Sequence, residues 1–321
     1  MTTVPVKGTV PARGHAARGE ARRLVLRRLA DRLWWSLCAA ALLGIVVPVV
    51  WVLAGVVGKG VRGWQWSVLT TTTQGTGGGL ANAIMGTLVI VAGVLVIAGS
   101  VGVAGGVYLA EFCRDGRGGL LRGASEVLAG VPSIVLGYVG YIVLVVHFHW
   151  GFSLLSALLV LSAMVVPYIV KTTEVALRNV PTAYRDGSEA LGMPRTYALR
   201  RVVLRPAVPG IVTGLILAMA IAIGETAPLL YTANWSNGYP SAHLLHAPVA
   251  YLTYPVWTFY NQPQASAHRL SAEAALLLVA LVVVLIGLSR LVVARTQRHT
   301  EGHRGGSLSV TLSPPPQGPS R

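Results

Sequence analysis

Charged residues are scarce in this sequence, and acidic residues are the scarcest of them. Only 12% of the 321 residues are charged, and 26 lysines and arginines stand against 11 aspartates and glutamates. With 53% hydrophobic residues and a mean hydropathy of +0.62, the chain is too apolar to be disordered throughout. Its two cysteines exclude a small scaffold held together by several disulfides.

Long stretches of the chain contain no charged residue at all. Three of them run from Leu33 to Gly58, from Gly63 to Ala110 and from Val127 to Val170. A helix crosses the hydrocarbon of a bilayer with about 20 mostly apolar residues. When the stretches are divided at polar, glycine-rich or tryptophan-rich segments, they predict an all-α polytopic membrane protein with six spans: 33–57, 81–110, 127–148, 152–170, 208–230 and 272–294.

The basic residues lie in alternate loops. Of the 26 lysines and arginines, 23 lie before the first span, between spans 2 and 3, between spans 4 and 5, or at and beyond the end of span 6. Because positive loops stay in the cytoplasm, both termini are predicted to be cytoplasmic. The net charge of +15 therefore reports mainly which loops face the cytoplasm, and it is compatible with attraction to anionic lipid headgroups. The basic residues do not form a folded domain of the kind that binds nucleic acid. Residues 1–30 and 296–321 are predicted to be unstructured tails around a membrane domain, 31–295.

Small residues recur every fourth position in two of the predicted spans. Ala98, Gly102 and Gly106 follow this spacing in span 2, as do Gly210 and Gly214 at the start of span 5. Small residues at this spacing let helix backbones approach closely in lipid. The pattern predicts packing within the chain, and it is compatible with a subunit interface.

The loop 171–207 is the longest internal cytoplasmic connection, and it has a defined design. Pro181 and Pro194 bracket a segment in which Asp186 is predicted to cap a short helix and Gly192 to end it. An amphipathic stretch, 197–204, follows. The loop therefore predicts a short helix that docks to another protein, the alternative being an ordered loop with a solvated basic face.

This segment resembles the EAA loop of binding-protein-dependent ABC importer permeases. Asp186-Gly187-Ser188 occupies the acidic-Ala-small triplet, Gly192 the glycine, and Val202-Val203-Leu204 the aliphatic stretch. The sequence departs from the pattern in three ways. Aspartate replaces glutamate, Gly187 replaces alanine, and Arg205 stands where proline is usual.

Two further segments narrow the resemblance to PstA-type permease subunits of phosphate ABC importers. Leu128–Val135 reads LAGVPSIV and Ala222–Leu230 reads AIGETAPLL, and Pro209-Gly210-Ile211 lies between them. The similarity covers about residues 30–294. It implies a type I ABC importer permease fold, a bacterial cell membrane location, and import of inorganic phosphate by alternating access.

The resemblance also implies partners. These are a PstC-like permease subunit, two ABC ATPase subunits and an extracytoplasmic phosphate-binding protein. The chain itself would be no enzyme and bind no cofactor, with ATP and Mg²⁺ used by the ATPases; its sequence contains no G-x-x-x-x-G-K-[ST] motif. The residues expected to dock the ATPase are Tyr184, Arg185, Asp186, Gly187, Ser188, Glu189, Ala190, Leu191 and Gly192.

Glu225 is the one carboxylate well inside a predicted span. An ionisable residue at membrane depth is costly and suggests function. A protonated Glu225 could donate a hydrogen bond, and an ionised one could pair with Arg or Lys of the partner permease. The alternative to these functional roles, which has equal weight, is a structural hydrogen bond at a helix kink before Pro228. Ser133 and Thr226 could supply neutral donors along the translocation pathway, although such hydroxyls often bond to their own helix.

Other functions remain open at this point. Within the importers, the alternative substrate is another oxyanion or a small nutrient. A secondary transporter would need coupling-ion ligands and repeat symmetry, and a membrane enzyme would need clustered polar groups. The aromatic outer loop, 231–268, is either a contact for the binding protein or an interfacial aromatic belt, and the belt is the favoured interpretation.

Overall fold

The computed structural model describes residues 13–113 and 116–301, with side chains over 27–113 and 118–291. Five of its helices are long and apolar enough to cross a membrane, and a bent pair makes a sixth span if it is counted as one. The helices are α1 (Arg13–Arg62), α2 (Ala81–Val107), α3 (Gly116–Gly130), α4 (Ser133–Gly140), α5 (Leu154–Arg178), α6 (Thr182–Ala190), α7 (Arg195–Ala198), α8 (Leu204–Gly224), α9 (Ala227–Thr232), α10 (Thr253–Thr258) and α11 (Ala265–Glu301).

Three segments have π-helical hydrogen bonding. Tyr108–Phe112 continues α2, Tyr141–His147 continues α4, and Leu199–Val203 joins α7 to α8. As a result, Arg195–Gly224 is one apolar helical segment, which begins earlier than the span predicted at 208–230. Neither glycine nor proline interrupts residues 195–205, so the predicted amphipathic stretch runs directly into the membrane helix.

Two predicted spans are broken rather than continuous. Instead of one helix over 127–148, the pair formed by α3 and by α4 with its π-helical extension is bent by 94°. Pro132 stands at the break with a ψ of 134°, and proline disfavours helical geometry in the residue before it. The span predicted at 208–230 ends at Gly224, because Glu225 is extended with a ψ of 131°.

The helices at the two ends of the chain reach into the predicted tails. The helix α1 begins at Arg13, so residues 13–30 differ from the predicted unstructured tail, and α11 runs to Glu301. Residues 13–30 are rich in alanine, arginine and leucine, which favour helix. The remaining tail residues, 1–12 and 302–321, lie outside the described residues. By its contacts the chain divides into two units, Met1–Gly58 and Lys59–Arg321.

The core of the second unit is built on α2, α5 and α8. Gly102 and Gly106 of α2 let α5 approach so closely that an added Cβ would lie 2.6 Å from the Ile169 Cβ and 2.5 Å from the Thr173 Cβ. Gly210 of α8 lies against Ala176 of α5 in the same way, at 2.7 Å. The predicted packing of small residues within the chain is therefore confirmed.

The start of α2, the aromatic loop and the start of α11 form a second hydrophobic cluster. A short antiparallel hairpin, β1 (Thr73–Gln74) and β2 (Gly77–Gly78), is held by the buried Asn82, which accepts the Thr73 backbone N–H at 3.1 Å. Within the aromatic loop the Trp235 and Tyr254 rings stack at 4.6 Å. Part of the predicted aromatic belt is thus core, and the loop aromatics that are exposed by more than half are Tyr239, Trp257 and Tyr260.

Candidate functional site

The short helix predicted in the loop 171–207 is present as α6, between two prolines. It starts directly after Pro181, and Pro194 precedes α7. The prediction that Asp186 caps it is wrong, because Asp186 lies in the fifth position of the nine-residue helix. Proline lacks a backbone N–H and fixes φ, so the helix begins at the first residue after it.

The end of α6 is where the sequence predicts it. Gly192 has a φ of +68°, its N–H donates to the Glu189 carbonyl at 2.9 Å, and the Met193 N–H donates to the Ser188 carbonyl at 3.0 Å. These two bonds form a Schellman motif with glycine in the left-handed position. Gly192 therefore ends α6, and the chain turns there toward Pro194.

Arg185 anchors α6 to two membrane helices. Its guanidinium donates to the Glu111 carboxylate at 2.6 Å, at the end of the π-helical turn that follows α2. It also donates at 3.0 Å to the carbonyls of Leu177 and Val180, at and just beyond the end of α5. Arginine can make all three bonds at once because its planar fork carries five N–H donors.

Most of the α6 surface remains open. Ser188 faces inward, 5% exposed, and its hydroxyl donates to the Arg185 carbonyl at 2.7 Å. Leu191 is 75% exposed, Tyr184 45% and, on α7, Tyr197 53%. The remaining predicted docking residues are exposed as well: Asp186, Gly187, Glu189 and Ala190. Exposed apolar and aromatic side chains of this kind are suited to docking another protein.

A second ion-pair cluster, which the sequence analysis missed, braces the same ends of α2, α3 and α5. Glu174 of α5 is 3% exposed, and its carboxylate accepts from Arg122 at 2.6 Å and from Arg178 at 2.8 Å. Arg122 also donates to the Leu109 carbonyl at 3.0 Å. Glu174 and Arg178 are four residues apart on one helix, and this spacing is the sequence signal that predicts their ion pair. No such local signal predicts the pair of Glu174 with Arg122.

Glu174→Ala should destabilise this cluster strongly. Removing one partner of a buried ion pair leaves the other charge uncompensated, and since both arginines reach solvent we expect roughly 2 to 3 kcal/mol. Thermal unfolding of the purified protein measures the loss. The matched control is Glu126→Ala, which removes an exposed carboxylate 3.3 Å from Lys171; exposed pairs contribute about 0 to 1 kcal/mol. Equal unfolding temperatures for the two variants would show that the ion-pair cluster around Glu174 does not stabilise the protein.

The two helix breaks lie side by side. An added Cβ on Gly137 of α4 would lie 2.7 Å from the Pro228 Cα of α9. Farther along both helices, the Tyr138 and Tyr141 rings lie 6.0 and 6.5 Å from the Tyr231 ring. The contacts advance in the same direction, so α4 and α9 run parallel from their respective breaks.

This packing brings Ser133, Glu225 and Thr226 to the same end of the α4–α9 pair. Ser133 is one helical turn before Gly137, and Glu225 and Thr226 closely precede Pro228. From His147 at the far end, Ser133 is about 20 Å along the helix, which compares with a hydrocarbon thickness of about 30 Å in a bilayer. Among the described residues, none of these three side chains makes a hydrogen bond. The Glu225 backbone carbonyl, by contrast, accepts from the Thr253 hydroxyl at 2.9 Å.

The arrangement offers polar groups at membrane depth and no metal centre. Within the described part of the chain, no group of three histidine, cysteine, aspartate or glutamate side chains could hold a metal ion. Glu225 is half-buried, and the hydroxyls of Ser133 and Thr226 are available as donors because they are not bonded to their own helices. The structural hydrogen bond considered for the Glu225 side chain is not formed among the described residues.

Comparison with known proteins places this geometry in a family. Residues 102–298 match the family described as binding-protein-dependent transport system inner membrane component. The chain is 55% identical over 266 residues to the phosphate transport system permease protein PstA 2 of Mycobacterium tuberculosis (strain CDC 1551 / Oshkosh), covering 83% of this chain and 88% of that one. It is 34% identical over 297 residues to the phosphate transport system permease protein PstA of Yersinia pestis, covering 91% and 99%.

A solved structure has the same fold. An inward-facing structure of the MetNI methionine ABC transporter superposes with a TM-score of 0.56 at 18% identity, covering 68% of this chain and 97% of that one. The predicted type I ABC importer permease fold is thereby confirmed. The chain is a multi-pass membrane protein that belongs to the family of binding-protein-dependent transport system inner membrane components.

Proposed function

We propose that this chain is the transmembrane permease subunit of an ABC importer that moves inorganic phosphate into the cytoplasm by ATP-driven alternating access. The observation that carries the proposal is the 55% identity, over 83% of the chain, to a permease named for phosphate transport. The exposed and anchored α6 supports the ATP-driven part, because it offers a separate motor protein a docking surface.

The partners follow from this role. A PstC-like permease pairs with the chain in the membrane, two ABC ATPases that bind ATP and Mg²⁺ dock at α6 from the cytoplasm, and a phosphate-binding protein delivers substrate from outside. The described basic residues support this orientation, since Arg178, Arg185, Arg195, Arg200 and Arg201 lie at the α6 end of the helices.

Uptake of radiolabelled phosphate tests the substrate. Cells that lack their other phosphate importers should take up phosphate when they produce this chain with its three kinds of partner, and not when the chain is omitted. Unlabelled phosphate should compete, whereas unlabelled sulfate and methionine should not. Undiminished phosphate uptake without the chain, together with loss of a different solute, would assign the importer to that solute.

Thiol labelling tests the orientation. In a chain whose Cys38 and Cys113 are replaced by serine, Tyr239→Cys in the outer loop should react with a membrane-impermeant maleimide in intact cells. Gly119→Cys, on α3, should react only after permeabilisation, and its added side chain meets open space. Labelling of Gly119→Cys in intact cells would reverse the proposed topology.

Glu225→Gln tests whether the carboxylate at the breaks works as a charge. Glutamine keeps the size of the side chain and can still form hydrogen bonds, but it carries no charge and replaces one acceptor oxygen with an NH2 donor. A hydrogen bond to a charged group contributes about 1.5 to 3 kcal/mol, and about 1.4 kcal/mol corresponds to a factor of ten. We therefore expect phosphate uptake to fall about tenfold or more.

The matched control for this change is Glu126→Gln, which alters an exposed carboxylate in the same way. It should transport as the unmodified chain does. Wild-type uptake by Glu225→Gln would exclude a charge-dependent role and leave the kink before Pro228 as the function of this residue.

A further inference from the structure

At its cytoplasmic end, α2 is followed by a π-helical turn, Tyr108–Phe112, and not by further α-helix. The Cys113 N–H closes it by donating to the Tyr108 carbonyl, five residues back, at 3.1 Å. Single π-helical turns inside α-helices occur often at functional sites, since the wider ring costs stability that packing must supply. This turn follows the part of α2 that packs tightly on α5 through Gly102 and Gly106.

Two arginines hold the turn from different directions. Arg185 of the docking helix reaches the Glu111 carboxylate at 2.6 Å, and both side chains are largely buried, at 24% and 16% exposure. Arg122 of α3 reaches the Leu109 carbonyl at 3.0 Å. The turn is therefore bonded by side chains both to α6 and to α3. It shares this position with α5, whose Leu177 carbonyl accepts from Arg185 and whose Glu174 pairs with Arg122.

The far end of α3 leads directly to the break described above. Only Val131 and Pro132 separate α3 from α4, and the bend between the two helices is 94°. A displacement of α3 along its axis therefore pushes on the start of α4, next to Glu225 and Thr226. Rigid helices joined by hydrogen bonds and ion pairs are the physical carriers of coupling between distant sites.

We propose that the π-helical turn Tyr108–Phe112 relays movement of the docking helix α6 to the bent pair α3–α4, with Glu111 and Arg122 as its positioning residues. The proposal rests on the proposed function, in which α6 receives the movement of an ATPase. One contact of the relay is long-range, because Arg185 and Glu111 are 74 residues apart. The other joins the turn to the next helix in the chain, because Arg122 and Leu109 are 13 residues apart.

The first test compares ATP hydrolysis with transport in the complete complex reconstituted in liposomes. Glu111→Gln keeps the shape of the side chain and removes the charge that holds Arg185. ATP hydrolysis should continue while phosphate uptake falls, so that the ATP used per phosphate rises roughly fivefold or more, the lower bound of typical coupling between sites. If Glu111 only helped the complex to assemble, hydrolysis and uptake would fall together and the ratio would stay constant, which would overturn the relay.

The second variant addresses the other side of the turn. Arg122→Lys retains a positive charge beside Glu174, but lysine lacks the fork that holds Glu174 and the Leu109 carbonyl together. It should raise the same ratio even if Glu111→Gln does not assemble. The control is Glu126→Gln on the exposed side of α3, for which the ratio should not change. A normal ratio in an assembled Arg122→Lys complex would refute the relay.

A substrate-independent measurement separates failure of the relay from failure of the proposed function. Ser133→Cys, with Cys38 and Cys113 replaced by serine, reports on the start of α4 through its rate of maleimide labelling. Adding ATP and vanadate should change that rate in the otherwise unmodified complex and leave it unchanged with Glu111→Gln. If ATP changes the rate in both, the relay is wrong; if the complex shows the ATP effect but carries no phosphate, only the substrate is wrong.

Discussion

Gly192→Val should abolish transport while the protein still accumulates in the membrane. The N–H groups of Gly192 and Met193 close a Schellman motif that requires a φ of +68° at Gly192. A left-handed conformation costs a non-glycine residue roughly 1 to 2 kcal/mol, and a β-branched side chain is the least compatible with it. Because α6 has only nine residues and is largely exposed, such a cost is enough to unwind its last turn.

Phosphate uptake and the amount of ATPase that copurifies measure this effect. Two controls share the region. Gly192→Asn should keep most activity, because asparagine tolerates the left-handed conformation. Gly187→Ala should transport normally, since its added methyl meets open space within α6. Normal uptake by Gly192→Val would show that transport does not require the Schellman motif at the end of α6.

Among the glycine-to-alanine changes in α2, Gly86→Ala should destabilise the protein most. At this position the new Cβ would collide with the Ala250 carbonyl oxygen and lie 3.0 Å from the Val249 Cγ1. Inserting a methylene into a packed core costs about 1 to 3 kcal/mol, and more where backbone must move. Here both partners are fixed, because the Leu252 N–H donates to the Thr87 hydroxyl at 2.9 Å. We expect a loss of at least about 3 kcal/mol.

The midpoint of thermal unfolding in detergent measures that loss. Gly99→Ala makes the same change on the same helix, and its Cβ would lie 3.4 Å from the Leu215 Cδ2, an ordinary contact. Gly99→Ala should unfold within a few degrees of the unmodified protein. Alanine also has a higher helix propensity than glycine, which stabilises α2 slightly. If the two variants unfold at the same temperature, the approach of α2 to the segment around Ala250 is not tight.

Features with a local cause could be predicted from the sequence. The apolar lengths of the spans follow from the thickness of a bilayer, and the end of α6 at Gly192 follows from the conformational freedom of glycine. A cap at Asp186 puts the start of α6 too late, because α6 begins four residues earlier, at Thr182. Pro181 sets the start instead.

Features with a tertiary cause could not be predicted. Pro48, Pro167 and Pro209 lie inside helices, whereas Pro132 stands at a 94° bend. Proline permits a break, and packing decides whether one occurs. The bond between Arg185 and Glu111 crosses 74 residues, and no periodicity encodes it. The pairing of the Pro132 break with the Glu225 break likewise depends on the close approach of Gly137 to Pro228.

The adjacency of the two breaks restricts what can cover this face of the protein. Each break leaves backbone N–H and C=O groups without partners in their own helices, and an unsatisfied backbone group in hydrocarbon costs several kcal/mol. Irregular backbone at membrane depth is tolerated where protein or water solvates it. Acyl chains are therefore poor neighbours for the start of α4 and α9. This strip is therefore suited to contact with water or with another polypeptide.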